Sequence, residues 1–101
     1  MRHSIPYVKA KLLFRRKYVL DDGALVAMKA WAVPKSARTP EGLKYSLAYI
    51  DSHGKRILGY DNAEGKGHHR HERDVETPFE FESITKLVSR FQKEVDEIRG
   101  A

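Results

Sequence analysis

The chain has 101 residues, no cysteine and a formal net charge of +5. This length suits one domain, so we expect residues 1–101 to form a single domain with a loose N-terminal tail at residues 1–7. The lack of cysteine excludes disulfides and thiolate metal sites, and no apolar run reaches the length of a membrane span. We therefore expect a cytoplasmic protein with no membrane partner.

Positive charge is concentrated in the first half of the chain. Residues 1–56 contain twelve Lys and Arg against four Asp and Glu, whereas residues 57–101 contain seven against ten. A basic half favours a phosphate polymer such as RNA as partner, because its cations pair with phosphates. The alternative is an ordinary solvated surface that is rich in lysine.

Apolar residues alternate with polar ones over most of the first sixty residues, which is typical of half-buried strands. Asp21-Asp22-Gly23 predicts a hairpin turn between the first two strands, and Pro34 ends the second. The predicted strands are residues 8–20, 24–33, 43–50 and 55–61, with a short edge strand at 78–81.

The C-terminal segment predicts an amphipathic helix. Ser83 is a suitable N-cap, and Gly100 marks the end. Between them apolar residues recur at helical spacing, namely Ile84, Leu87, Val88, Phe91, Val95 and Ile98. The predicted fold is therefore α+β: an antiparallel meander sheet of four to five strands with one C-terminal helix packed on one face.

One helix covers only one face of such a sheet, so the other face should be open to solvent. Basic residues of the first two strands, together with one aromatic residue, are expected to line it: Lys9, Lys11, Arg15, Lys17, Lys29 and Trp31. Cations beside an exposed aromatic ring suit single-stranded nucleic acid, whose bases stack and whose phosphates pair. The alternative is the ordinary polar face of an antiparallel sheet.

The stretch from Gly59 to His71 combines histidines, cations and glycines, which makes it poor material for a core. His69 and His71 are two residues apart, so in an extended segment they point to the same side and His68 faces away. Together with Asp61, and with Glu64 as a further candidate ligand, they could hold a divalent metal.

The same stretch also suits acid–base chemistry without a cofactor. Two histidines can act as base and acid in RNA cleavage, with Asp61 orienting one imidazole. Lys66, Arg70 and Arg73 could stabilise the charge on the phosphate. Asn62 could bind substrate or hold the loop. The remaining interpretation is a structural loop with idle histidines.

These residues resemble the TumE family, the toxin components of type II toxin–antitoxin systems. The resemblance covers roughly residues 8–99 and is carried by Gly59-Tyr60-Asp61-Asn62 followed by Gly65-Lys66-Gly67 and His69-Arg70-His71. One position departs from the family pattern, because His68 stands where an aspartate is usual. Further similarity lies at Asp22-Gly23, at Trp31–Pro34 and at Pro78–Phe81 before the Ser83 helix.

The resemblance implies a toxin whose partner is a cognate antitoxin, expected to be a small DNA-binding protein, and a homodimer is a further expectation. Carried over by position, the implied site is Asp61, Asn62, Lys66, His69 and His71. Our hypothesis is an endoribonuclease that needs no cofactor and binds RNA through the basic face, including Arg70 and Arg73. The alternatives are a metal-dependent nuclease and a non-catalytic module that binds nucleic acid or a partner.

Overall fold

The computed structural model describes residues 10–100, apart from the side chain of Glu64. The predicted tail at residues 1–7 and Lys9 lie outside that range. The described chain contains six strands and one α-helix, α1, at Ile84–Ile98. The strands are β1 Lys11–Val19, β2 Leu25–Ala32, β3 Leu43–Ile50, β4 Arg56–Asp61, β5 His69–Glu72 and β6 Val75–Pro78.

Each strand pairs antiparallel with the next, in the order β1-β2-β3-β4-β5-β6. The predicted α+β meander with one C-terminal helix is therefore confirmed, with more strands than expected. The added strand is β5, which forms a hairpin with β6 through the Arg73-Asp74 turn. The edge strand predicted at 78–81 lies earlier, at Val75–Pro78, because Phe79 and Phe81 leave the ladder and pack against the core.

One face of the sheet carries the core. On the central strand β3, Leu43, Tyr45, Leu47 and Tyr49 are buried, and the residues between them are not. Helix α1 covers this face with Leu87, Phe91 and Val95. Its N-terminus is capped as predicted, because the Ser83 hydroxyl accepts a hydrogen bond from the Lys86 backbone N–H at 3.1 Å. We call this side of the sheet the helix face and the other side the open face.

A register shift in β1 divides the predicted basic row. Arg15 lies directly opposite Lys29 on β2, but Lys11 lies opposite Ala32, and the pairing shifts between Leu12 and Phe14. Because alternate residues of β2 point to opposite faces, Lys11 is placed toward the helix face and Arg15 toward the open face. The expectation that Lys11, Arg15 and Lys17 share one face is thus wrong for Lys11.

No helix in the described part of the chain is long and apolar enough to cross a membrane.

Candidate functional site

A row of polar residues crosses the open face at right angles to the strands. Its members are directly opposed in register on β1 to β5: Arg15, Lys29, Ser46, Asp61 and His69. Neighbouring strands lie about 4.8 Å apart, so the row spans roughly 19 Å. Cations stand at the β1 end and a carboxylate and an imidazole at the β5 end, which are groups that bind phosphate and move protons.

Asp61 and His71 form an acid–base pair on this face. His71 Nε2 lies 3.2 Å from Asp61 Oδ2, and both side chains are mostly buried, with 15% and 24% of their surface exposed. The other carboxylate oxygen, Oδ1, accepts a hydrogen bond from the Ala63 backbone N–H at 3.2 Å, which holds Asp61 in place. The pair therefore has the geometry in which a carboxylate fixes the orientation of an imidazole.

His69 has a polar neighbour at each ring nitrogen, but only Nε2 forms a hydrogen bond. Its Nε2 lies 2.8 Å from the Lys66 carbonyl oxygen, and its Nδ1 lies 3.0 Å from Glu76 Oε2. Nδ1 is buried and forms no hydrogen bond. The Glu76 carboxylate therefore lies close to Nδ1 but outside the direction in which a hydrogen bond would form. Buried unsatisfied polar atoms are uncommon in folded proteins and call for an explanation.

Arg70 lies on the helix face, between the two histidines in sequence but on the opposite side of β5. Its guanidinium donates hydrogen bonds to Tyr60 Oη, Glu72 Oε1 and Glu94 Oε2 at 3.1, 3.0 and 3.0 Å. Burial acts to lower the pKa of Arg70, but the hydrogen bonds to Glu94 and Glu72 outweigh it and raise this pKa. Arg70 therefore does not lie with His69 and His71. It links α1 to the sheet through its bonds to Glu94 and Tyr60.

Tyr60 completes this helix-face cluster. Its hydroxyl donates a hydrogen bond to Glu94 on α1 while accepting one from Arg70. Burial, reinforced by the bond to Glu94, raises the pKa of Tyr60 to about 12. The phenol is therefore a neutral donor at physiological pH.

Asn62 is buried and both ends of its amide are used by the backbone of β3. Oδ1 accepts from the Tyr45 N–H at 3.1 Å, and Nδ2 donates to the Leu43 carbonyl at 2.7 Å. Of the two roles predicted for Asn62, the structure therefore shows the loop held to β3. Because Asn62 follows Asp61 in the chain, these bonds also help to fix the position of Asp61.

His68 faces the helix side, as the two-residue spacing predicts. Its ring stacks on Phe81 with the centroids 4.5 Å apart. Nδ1 lies 2.9 Å from Tyr45 Oη, and Nε2 lies 3.0 Å from Glu41 Oε2. At the position where the family pattern has an aspartate, this chain therefore has an aromatic ring with a packing role.

A cavity of about 530 Å³ opens on the polar row beside Asp61. Its wall includes two predicted nucleic-acid-binding residues, Lys29 and Trp31, and two residues of β3, Lys44 and Ser46. Lys44 lies directly opposite Trp31, and Ser46 directly opposite both Lys29 and Asp61. The cavity thus joins an aromatic surface, two cations and a carboxylate.

Gly59 makes room for an arginine next to His71. Gly59 lies directly opposite His71, and a Cβ on it would come 3.1 Å from Arg56 Cδ and 3.4 Å from Arg56 Nε. The Arg56 side chain therefore lies over Gly59 on the open face. Gly59 therefore makes space for a cation that can bind a phosphate.

Lys66 and Arg73 occupy exposed turns on either side of β5. Lys66 follows the short 3₁₀ turn Ala63–Gly65 and offers its carbonyl to His69. Arg73 has a left-handed backbone, with φ of 54°, and its N–H donates to the Ile57 carbonyl at 2.9 Å.

No three His, Cys, Asp or Glu residues of the described chain lie close enough together to hold a metal ion. Asp61 and His71 are in contact with each other, whereas the His69 ring turns to Lys66 and Glu76. The contribution considered for Glu64 falls on a side chain that the structure does not describe.

Lys44, Ser46 and Arg56 were missed by sequence reasoning. The signal for Lys44 and Ser46 was present, since they alternate with buried residues of β3 and had to face the side that the helix leaves open. Their opposition to Trp31 and Asp61 needs the strand register, which the sequence does not give. Arg56 depends in addition on a register shift between Tyr49 and Ile50.

Comparison with known proteins gives one match. The family model described as Toxin TumE matches residues 6–99, which is nearly the whole chain. No curated protein and no solved structure matches significantly. The glycine-histidine stretch that carries the resemblance is the segment that forms β4, the 3₁₀ turn and β5, with the Asp61–His71 pair between them. The chain therefore belongs to the TumE toxin family, and membership implies an antitoxin partner.

Proposed function

We propose that this toxin is an endoribonuclease of a type II toxin–antitoxin system and that it cleaves single-stranded RNA on the open face of its sheet. One observation carries the proposal: Asp61, whose carboxylate lies 3.2 Å from His71 Nε2, lines a cavity together with Trp31 and Lys29. This combines a means of moving a proton with a surface that suits a base and a phosphate. The site of action is then the cytoplasm.

RNA supplies its own nucleophile, the 2′-hydroxyl. In the proposed reaction His71 removes the proton of that hydroxyl, and the 2′-oxygen forms a bond to the adjacent phosphorus. The bond from phosphorus to the 5′-oxygen breaks, and that oxygen takes a proton from His69. The products are a 2′,3′-cyclic phosphate and a 5′-hydroxyl. Each proton transfer contributes roughly 10²–10⁴-fold to the rate.

The two histidines differ in a way that suits these roles. Asp61 faces Nε2 of His71, so the ring has the orientation in which Nδ1 serves as the base. In His69, Nε2 donates to the Lys66 carbonyl, and Nδ1 is the buried atom without a hydrogen-bond partner. A proton on Nδ1 can pass to a leaving oxygen once the half-exposed Glu76 side chain moves aside.

Charge on the phosphate must be stabilised by cations on the open face, which excludes Arg70. Arg56 is the best placed for this role, because it lies over Gly59 directly opposite His71. Lys29 and Arg15 continue the polar row toward β1 and can bind the phosphates that follow. Lys17, two residues from Arg15 on the same strand, extends this cationic edge.

The partner of the toxin is an antitoxin, and we propose that it is a small DNA-binding protein encoded beside it. Homodimer formation stays a prediction. A gene for a small DNA-binding protein next to the toxin gene would support the type II assignment. Two adjacent genes whose products fail to copurify would contradict it.

The test uses purified toxin and end-labelled single-stranded RNA, with His71→Ala and His69→Ala as variants. Each should lose cleavage while keeping the thermal unfolding midpoint of the parent. His53→Ala is the matched control, because His53 is exposed in the β3–β4 turn and should cut at the parental rate. Unaltered cleavage by both variants would refute the proposal.

The same assay distinguishes metal-dependent chemistry. Cleavage without a cofactor should continue in excess chelator and yield a cyclic phosphate. Loss of cleavage in chelator, with recovery on adding manganese, would instead assign Asp61, His69 and His71 to a metal.

A non-catalytic binding module is the second candidate, and one observation favours it. Both ring nitrogens of His69 already have neighbours within the protein, so this ring could hold the Lys66 turn and no more. Such a module would bind RNA saturably and in a salt-sensitive manner without producing shorter products.

A further inference from the structure

A second cavity adjoins the one that Asp61 lines. It has a volume of about 380 Å³ and is lined by Ser36, Arg38, Thr39, Lys44, Asn62 and Gly65, among others. Lys44 also lines the cavity that contains Trp31 and Asp61. The two cavities therefore form one groove, with Lys44 at the boundary between them.

The connection between β2 and β3 forms one wall of this second cavity and is folded on itself. Ser36 and Thr39 exchange two backbone hydrogen bonds of 3.2 Å, and their hydroxyls lie 3.0 Å apart. The Thr39 hydroxyl also donates to the Pro34 carbonyl at 2.9 Å, and the Arg38 N–H donates to the Ser36 hydroxyl at 3.2 Å. Arg38 therefore projects from a turn that is held together by its own hydrogen bonds.

Gly65 makes room for the Arg38 side chain. A Cβ on Gly65 would lie 2.8 Å from Arg38 Nε and 3.4 Å from its Cγ, and the glycine has φ of +68°. The guanidinium therefore lies against the backbone of the same turn that follows Asp61 and Asn62. Gly59 and Gly65, two of the three glycines in the Gly59–His71 stretch, each make space for an arginine side chain.

The charges of Arg38 and Lys44 are available to a ligand. Both side chains are exposed, and neither forms an ion pair with a carboxylate that the structure describes. Two exposed cations beside one cavity suit an anion with several acceptor oxygens. Such an anion beside a site for RNA is a phosphodiester of the same strand.

We propose that Arg38 and Lys44 form a second phosphate-binding subsite that holds single-stranded RNA next to the cleavage centre. The inference rests on the proposed function, because it assigns the neighbouring nucleotide of the same substrate. A dinucleotide that fills the Asp61 cavity then leaves this subsite empty, whereas a longer RNA occupies both.

The experiment compares cleavage of a dinucleotide and an octanucleotide by the wild type, Arg38→Ala and Gly65→Ala. With the octanucleotide, Arg38→Ala should raise KM about tenfold, the loss expected for one charge-assisted contact, and leave kcat unchanged. With the dinucleotide it should match the wild type. Gly65→Ala displaces the guanidinium and also strains the turn that holds His69, so it should weaken cleavage of both substrates, and of the octanucleotide more.

Salt dependence and a matched variant give two further measurements. In binding titrations with an uncleavable octanucleotide, Arg38→Ala should reduce the slope of log K against log salt by about 0.7. Arg16→Ala removes an exposed arginine of β1 that lies opposite the buried Met28, toward the helix face, and should change neither KM nor slope.

The outcomes separate the two proposals. If the wild type neither binds nor cleaves RNA of any length, the proposed function fails. If the wild type cleaves RNA but Arg38→Ala loses no more than Arg16→Ala, or loses equally with both lengths, only the second subsite is overturned.

Discussion

Strand β5 presents two different chemistries on its two faces. Toward the open face, His69 and His71 stand beside Asp61, which lines a cavity, and Nδ1 of His69 has no hydrogen-bond partner. Toward the helix face, Arg70 donates three hydrogen bonds, and each is accepted by a side chain. Neighbours in sequence therefore do different work, because a strand sends alternate side chains to opposite sides.

The two faces should also differ in whether a substitution changes the free energy of unfolding or the activity. Satisfied, partly buried ion pairs hold α1 on the sheet, so changes there should act on stability. Incompletely satisfied groups on the open face contribute little to folding, so changes there should act on chemistry. Substitutions on the two faces can therefore be told apart by measuring activity and the free energy of unfolding on the same protein.

The largest effect is expected for Asp61→Asn on the open face. The amide keeps an oxygen for the Ala63 N–H but removes the charge that faces His71, so the imidazole loses its fixed orientation. Cleavage should fall by about 10² or more, with little change in the free energy of unfolding. A loss of stability with full activity per folded molecule would place Asp61 among the structural residues instead.

The next effect concerns Arg70→Ala on the helix face. This change leaves Glu94 without its arginine partner beneath α1 and should lower the free energy of unfolding by about 2 kcal/mol in urea titrations. Folded Arg70→Ala should still cleave RNA. The exposed Arg16→Ala is the control and should shift stability by no more than about 0.5 kcal/mol. An inactive but fully stable Arg70→Ala would break the proposed division between the faces.

The smallest effect is a pH dependence in the His68 contact on the helix face. The hydrogen bond from His68 lowers the pKa of Glu41 below its ordinary value of 4.5. The stabilisation is therefore present above that pH and is lost as pH falls through the lower folded value. Because the carboxylate is exposed, it should amount to less than about 1 kcal/mol.

Glu41→Gln tests this contact in urea titrations at several pH values. The variant should be less stable than the parent near neutral pH, and the two should converge in acid. A difference that persists unchanged below the folded pKa would show that the charge of the Glu41 carboxylate is not its source.

Much of the fold could be predicted because the spacing of apolar residues within a segment indicates whether it is a strand or a helix. The residues of β3 alternate strictly between buried and more exposed, and the apolar residues of α1 recur at helical spacing, so both elements are recognisable locally. Strand β5 was not predicted, since all four of its residues are charged or titratable and show no apolar pattern. Its pairing with β4 and β6, which supplies backbone hydrogen bonds, makes it a strand.

The same distinction applies to the candidate site: some of its residues are recognisable from local sequence, and others depend on tertiary structure. Asp61, His69 and His71 could be singled out because their chemical types and close spacing are visible in the chain. Arg70 shares both properties and yet lies on the other face. Arg38, Lys44 and Arg56 are distant in sequence and carry no local signal, and they come to the site through strand register and through the space left by Gly59 and Gly65.

From its sequence alone, this protein is recognisable as a TumE-family chain with a meander sheet, one covering helix and a titratable segment that differs from the core. These are local properties of periodicity and residue type, and neighbouring residues suffice to encode them. Tertiary structure decided which cations lie near Asp61 and His71. It also decided that Arg70, between His69 and His71 in the chain, contacts the helix instead. Register and bulges set the face of every strand residue, and they depend on pairing between segments that are far apart in the chain.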